Sequence, residues 1–185
     1  MNSERPHINP DNLEQNYENA PIDEHSAALD LTRETSSIPR PNEPTNWMYP
    51  SPQQFYNALK LKHKDPGDPK YMKAAVFAHN RVNELTWDSI LSWERWHPEC
   101  KLPKLQRFVG KFSQLSPKAR LKSIYMGRPF DRHDWYIDRC GETVRYIIDY
   151  YDDPKANDVL KVKIDARPAL DSFTSFFDRL LFWIR

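Results

Sequence analysis

Apolar positions recur at helical spacing through the first half of the chain's body and at spacing two through the second half. Ser51 followed by Pro52 reads as an N-cap with proline at the first helical position, opening a short helix to about Leu61. The run Lys64-Asp65-Pro66-Gly67-Asp68-Pro69 breaks it. A long helix then extends from about Lys70 to Trp96. At 100° per residue, Ala75, His79, Val82, Thr86, Ile90 and Trp93 fall within a stripe of roughly 80°, the width of one buried face. That stripe holds His79 among apolar neighbours. Ser116-Pro117 starts another short helix, ending near Tyr125.

After Gly127 the period becomes two. Trp135 to Arg139, Val144 to Tyr150 and Leu160 to Ala166 read as three strands, the first two joined in a hairpin near Gly141. The third places Leu160, Val162, Ile164 and Ala166 on one face and Lys161, Lys163, Asp165 and Arg167 on the other, as expected of an antiparallel strand with one wet side. Phe173, Phe176, Phe177, Leu180, Leu181 and Ile184 mark a C-terminal amphipathic helix, with Asp171 a candidate cap. Its apolar face is read as core, with membrane-surface contact as the lesser reading. The fold class is α+β: N-terminal helices including one long helix, a small antiparallel sheet of about three strands, and the C-terminal helix.

Residues 1–45 lack sustained periodicity and are rich in Asn, Pro, Asp and Glu, so they read as a disordered acidic tail, closed by Ser36-Ser37-Ile38-Pro39-Arg40 packing on the body. Residues 46–185 form the single folded domain. The formal net charge of +1 conceals an asymmetry: the tail holds nine acidic and three basic side chains, leaving the body about +7. A basic body suits anionic partners: carboxylate-bearing ligands, anionic lipid or nucleic acid. Nucleic acid is the least favoured of these, because the basic residues are scattered and no nucleic-acid motif is present. No run of 18 apolar residues exists, so no segment is expected to span a membrane. Cys100 and Cys140 match neither a Cys-x-x-Cys redox motif nor a zinc site, and are free or bridged. The start of the chain shows no apolar signal core and is too acidic for an Arg-rich presequence, which taken alone points to the cytosol.

Three blocks then change the picture. They are Asn46-Trp47-Met48-Tyr49-Pro50-Ser51-Pro52-Gln53-Gln54-Phe55-Tyr56-Asn57, the stretch from His79-Asn80 through Glu84 to Trp87, and Pro129-Phe130-Asp131-Arg132-His133-Asp134-Trp135. In this order they resemble the holocytochrome c synthase (mitochondrial cytochrome c-type haem lyase) family, over about Ser37 to Asp178. The resemblance implies a lyase that binds haem b as substrate and attaches it by thioether bonds to the Cys-x-x-Cys-His segment of apocytochrome c. It also implies the mitochondrial intermembrane space, with peripheral contact to the inner membrane. A haem carrier or chaperone without chemistry is the alternative.

By itself a lone histidine on an apolar helix face is a hydrogen-bonded core residue. The resemblance makes His79 the axial ligand of the haem iron and the central catalytic residue, and haem needs the apolar walls its stripe supplies. Asn80 and Glu84 complete the family pattern. Glu84 points roughly 140° from His79, and is expected to brace the helix, pairing with an arginine such as Arg139. Aromatics spaced like Trp47, Tyr49, Phe55 and Tyr56 are usually core; the resemblance makes the Trp47 block, with Tyr49, part of the haem pocket or its lid. Asp131, Arg132, His133, Asp134 and Trp135 read either as a salt-bridged corner or as a polar wall of the haem site, with His133 relaying protons or orienting a neighbour. Arg132, Arg139 and Arg145 are candidate propionate partners, because guanidinium meets carboxylate in bidentate fashion. Structural salt bridges are the competing reading for each. His97, five turns from His79, lies about 27 Å along the axis and cannot share its ion.

Overall fold

The computed structural model describes residues 7–8, 15–16, 18–26, 28–111, 114–125, 127–155 and 160–184. Most of the expected tail through residue 17 lies outside these, apart from a two-residue ladder of β1 (His7–Ile8) with β2 (Gln15–Asn16). From residue 18 onward the stretch read as tail is engaged with the body. Asn57 Nδ2 donates to the Glu18 and Ala20 carbonyls at 2.9 Å each. The hydroxyl of Tyr56 donates to Asp23 at 3.0 Å. Strand β3 (Thr35–Pro39) pairs antiparallel with β4 (Asn46–Met48), and Ser36 and Ile38 are buried. Ile38 joins the core, as expected of the segment that closes the tail. Buried polar atoms must find partners, and here backbone carbonyls of the tail supply them.

Helix α1 (Pro52–Leu61) begins as its caps dictate: Ser51 Oγ accepts from the Gln54 amide while the Gln54 side chain accepts from the Ser51 amide, a complete capping box. Helix α2 (Met72–Glu94) follows a single 3₁₀ turn over Pro69–Tyr71. Its buried residues are Met72, Val76, Asn80, Thr86, Trp87, Ile90 and Glu94. The C-terminal half thus keeps the expected stripe, whereas Ala75 is exposed. Helix α3 (Pro117–Lys122) is capped by Ser116 and stops short of Tyr125.

The sheet has four strands, one more than expected, in the order β5 (Lys104–Gly110), β6 (Asp131–Arg139), β7 (Glu142–Asp152) and β8 (Val162–Pro168), all antiparallel. One face packs on α2. Trp135, Ile137, Val144, Tyr146 and Ile148 from the sheet meet Trp87 and Ile90 from the helix. Three polar bonds fix the layers: Trp47 Nε1 donates to the Leu105 carbonyl at 2.9 Å, Trp93 Nε1 to the Ala166 carbonyl at 2.9 Å, and Thr86 meets the Tyr150 hydroxyl at 3.1 Å. Cys100, beyond the end of α2, forms a disulfide with Cys140 in the β6–β7 turn. The face of β8 expected to be wet is partly covered, since Arg167 is buried against Asp149 and Ser116.

Helix α4 (Phe173–Ile184) forms where periodicity placed it, but its apolar face is not core. Ser175 is buried and Asp178 and Arg179 are partly buried, whereas Phe173, Phe176, Phe177, Leu180 and Leu181 are exposed. Asp178 sits 3.0 Å from His97 Nε2, and Phe182 stacks on Trp93 at 4.3 Å between ring centroids. The helix is seated by its polar side.

Candidate functional site

A cavity of about 640 Å³ opens between α1, α2, the β3–β4 hairpin and the cavity-side ends of β5 and β6. Its volume falls within the ~300–1,000 Å³ range of pockets for compact organic ligands. Ile38, Trp47, Tyr49, Phe55, Leu105, Phe108, Val109 and Trp135 give it apolar and aromatic walls. His79, Asn83, Asp131 and His133 supply polar groups, and Arg33, Lys62 and Lys64 supply positive charge.

His79 enters from the first half of α2. Phe55 lies 5.2 Å from it between ring centroids, and Tyr49 is edge-on at 6.3 Å. Asn80 Oδ1 lies 3.3 Å from Nδ1, and the Asn80 amide is itself held by Glu34 at 2.9 Å. An amide oxygen can only accept, so this contact puts the ring proton on Nδ1 and makes Nε2 the acceptor, whose lone pair a ligand or metal would take over from the Asn83 amide. Burial pushes the His79 pKa below its ordinary value, with the Asn80 bond opposing and the nearby His133 adding to the shift. The ring is therefore neutral at pH 7, the form that binds iron. Asn83, one turn on, donates to the His79 carbonyl at 3.0 Å and has its amide nitrogen 3.3 Å from Nε2.

His133 reaches the cavity from β6. Its Nε2 lies 3.2 Å from Asp131, its ring is edge-on to Tyr150, and its Nδ1 is buried with no partner among the described residues. Burial would raise the Asp131 carboxyl, but His133 and the Arg132 amide hold its pKa below the usual carboxylate value. Successive residues of a strand face opposite ways, so Asp131, His133 and Trp135 share the cavity side whereas Arg132 and Asp134 do not.

That alternation decides where the expected propionate partners go. Arg132 pairs with the fully buried Asp134 at 3.0 Å, which also takes Lys111 at 3.0 Å and Arg145 at 3.1 Å. Arg145 further binds Asp171 at 2.8 Å. Arg139 lies on the cavity-side face of β6 but at its far end, where Glu94 binds its guanidinium at 2.7 and 2.8 Å. None of the three lines the cavity. Glu84 does not meet Arg139 either. It accepts from the Tyr49 hydroxyl at 2.7 Å and from the amide and hydroxyl of Ser37. Its bracing role falls on the hairpin that walls the cavity.

Asn83, Lys62, Lys64 and Arg33 are site residues that the sequence reading left out. Asn83 had a legible signal, four residues after His79 and thus on the same helical side. Lys62 follows Phe55 by seven residues, two turns of α1. Arg33 had no signal, because it lies in the stretch read as tail. No group of three or more His, Cys, Asp or Glu side chains suited to a bare metal ion occurs among the described residues. One imidazole in an apolar cavity instead suits an iron that carries most of its ligands with it, as in a porphyrin.

The family model for cytochrome c/c1 heme lyase matches residues 1–183. The chain is 44% identical over 183 residues to the holocytochrome c-type synthase of Homo sapiens, covering 94% of this chain and 68% of that protein. It is 40% identical over 195 residues to a probable holocytochrome-c-type synthase of Caenorhabditis elegans (98% and 69% covered). With the holocytochrome-c synthase of Saccharomyces cerevisiae it shares 37% over 179 residues (82% and 66%). No solved structure matches.

Proposed function

We propose how this chain, which belongs to the cytochrome c/c1 heme lyase family, carries out the reaction of a holocytochrome c synthase. The enzyme is a lyase that forms carbon–sulfur bonds, with haem and apocytochrome c as its substrates. The proposal concerns which groups do the work. The haem is haem b, and His79 Nε2 is its axial protein ligand. The observation that carries this is the imidazole held neutral by burial, with Nδ1 engaged by Asn80, at the wall of a cavity of about 640 Å³.

In each thioether-forming step a cysteine sulfur bonds to one vinyl carbon and a proton goes to the other, so nothing is oxidised or reduced. Thiolate is the attacking species. The chain contributes mainly by holding haem still, because fixing two reactants in register converts a slow encounter into a fast local step. Trp47, Tyr49 and Phe55 wall the macrocycle. Lys62 and Lys64 are better placed than Arg132, Arg139 or Arg145 to meet the propionates, since they line the cavity. His133, paired with Asp131, is the candidate proton carrier within the cavity. Asp134 and Trp135 support that wall from either side of β6.

We place the enzyme in the mitochondrial intermembrane space, in peripheral contact with the inner membrane. No described helix is long and apolar enough to cross a membrane.

The test is purification with haem, addition of the apocytochrome Cys-x-x-Cys-His segment and reductant, and a pyridine haemochrome spectrum. The wild-type chain is expected to give the thioether form, and His79→Ala to bind little haem and give none. Full conversion by His79→Ala would remove the central role of this imidazole. Haem binding without thioether formation by the wild-type chain would favour a carrier.

A further inference from the structure

Away from the haem cavity, α4 is built inside out. At 100° per residue Ser175, Asp178, Arg179 and Phe182 lie on one side and Phe173, Phe176, Phe177, Leu180 and Leu181 on the other. The first side faces the body, where Asp178 meets His97 and Phe182 stacks on Trp93. The five residues of the second side are between 44% and 87% exposed. Together they present on the order of 500 Å² of apolar surface, a size that marks a contact site on a monomer.

Beside this helix, at the open edge of the sheet, lies a cleft of about 350 Å³ between α2, α3, β8 and α4. Lys118, Lys122, Lys163, Arg167 and Arg179 line it, against Asp165. Asp165 holds Lys118 and Lys122 at 3.0 and 2.6 Å, and Asp149 holds Arg167 at 2.6 Å. Five cations thus face two carboxylates. Arg179 is near enough to Arg167 for the two to repel. Burial opposes ionisation of Asp165, but Arg167 and the two lysines push its pKa to about 2, so it is a carboxylate near neutrality and the cations still outnumber the two carboxylates. The α3 segment also exposes Leu121 and, just beyond it, Ile124 and Tyr125.

We propose that this cleft takes the headgroup of an anionic phospholipid while the outward face of α4 lies in the acyl layer of the same bilayer. An apolar helix face beside concentrated cations is the chemistry of an interfacial helix on an anionic membrane. A second copy of the chain fits less well, because the centre of such an interface is depleted of charge. The inference rests on the membrane contact proposed above and gives it an element and a lipid class; it does not depend on the haem chemistry.

The test is co-sedimentation of the full chain with vesicles of phosphatidylcholine alone or of phosphatidylcholine and phosphatidylglycerol in equal parts. Binding to the anionic vesicles is expected to be at least about tenfold tighter than to the neutral ones. Phe177→Asp with Leu180→Asp should abolish binding to both, while the circular-dichroism melt and haem attachment in solution stay as in wild type. Lys163→Gln with Arg179→Gln should weaken binding to anionic vesicles about thirtyfold, with binding to neutral vesicles unchanged. Equal binding to both vesicles, or none to either, overturns the proposal. So does a dimer in sedimentation equilibrium that Phe177→Asp with Leu180→Asp dissociates. Failed vesicle binding alongside intact haem attachment overturns this assignment and leaves the lyase reading standing.

Discussion

His79 shows how an ordinary side chain acquires a ligand's character from its neighbours. Three groups set its state: burial disfavours the cation, Asn80 fixes the proton on Nδ1, and His133 repels a second positive charge. The sign of the resulting pH dependence follows. A histidine with a lowered pKa is neutral in the folded protein at pH values where the unfolded chain already takes up a proton. Stability and ligation should therefore both be intact at neutral pH. The stability contribution declines once pH falls below the ordinary histidine value near 6.5. Haem binding, followed by the Soret band, should survive to lower pH than a free imidazole permits. Replacing Asn80 with Ala frees the tautomer and should weaken haem binding roughly 10–100-fold, the usual effect of losing a partner that orients a metal ligand. Unchanged affinity in Asn80→Ala would show that the contact does not orient the ring. A second residue-level expectation concerns the propionates. Lys62→Ala with Lys64→Ala should lower haem affinity while Arg145→Ala should not, as read by the same titration.

At the scale of elements, helix starts were easiest to read, because their signals are local. Ser51 and Ser116 cap where their side chains and the following prolines require. Strand β5 was missed for a physical reason: its register shifts between Leu105 and Arg107, which breaks the alternation that would have revealed it. The expected face of α4 was reversed, since periodicity separates two faces but does not say which one turns inward. Within the site, His79, Trp47, Tyr49 and His133 were legible as cavity residues. The arginines were not, because bidentate chemistry says nothing about strand parity. Burial of Arg139 against Glu94 carries its own consequence. Both side chains are 3% exposed, and the Tyr146 hydroxyl also donates to Glu94 at 2.5 Å. Glu94→Ala strands the guanidinium and should cost about 3–5 kcal/mol in chemical denaturation. A loss below about 1 kcal/mol would mean that Asp178, 3.7 Å away, takes over the charge.

Across the whole molecule, the long helix and the sheet are joined twice, by the packed layer around Ile90 and Ile148 and by the Cys100–Cys140 bridge. The bridge spans 40 positions of sequence. Closing a loop of that length stabilises the fold by about 4 kcal/mol on the chain-entropy account. Reduction should lower the melting temperature by roughly 10 °C. Haem binding by the reduced protein should be nearly normal at low temperature, since the bridge lies at the end of α2 remote from His79.

The pleat of β6 has an evolutionary corollary. Asp131, His133 and Trp135 look into one chamber while Arg132 and Asp134 knit the opposite surface, so the strand is a two-sided tape read on both sides at once. Swapping one letter on the outer side alters a salt bridge and spares the chamber. Dropping a letter between His133 and Trp135 turns over everything on one side of the gap, exchanging imidazole for guanidinium. Lineages of this enzyme should thus tolerate changes of spelling in the tape far more readily than changes of its length.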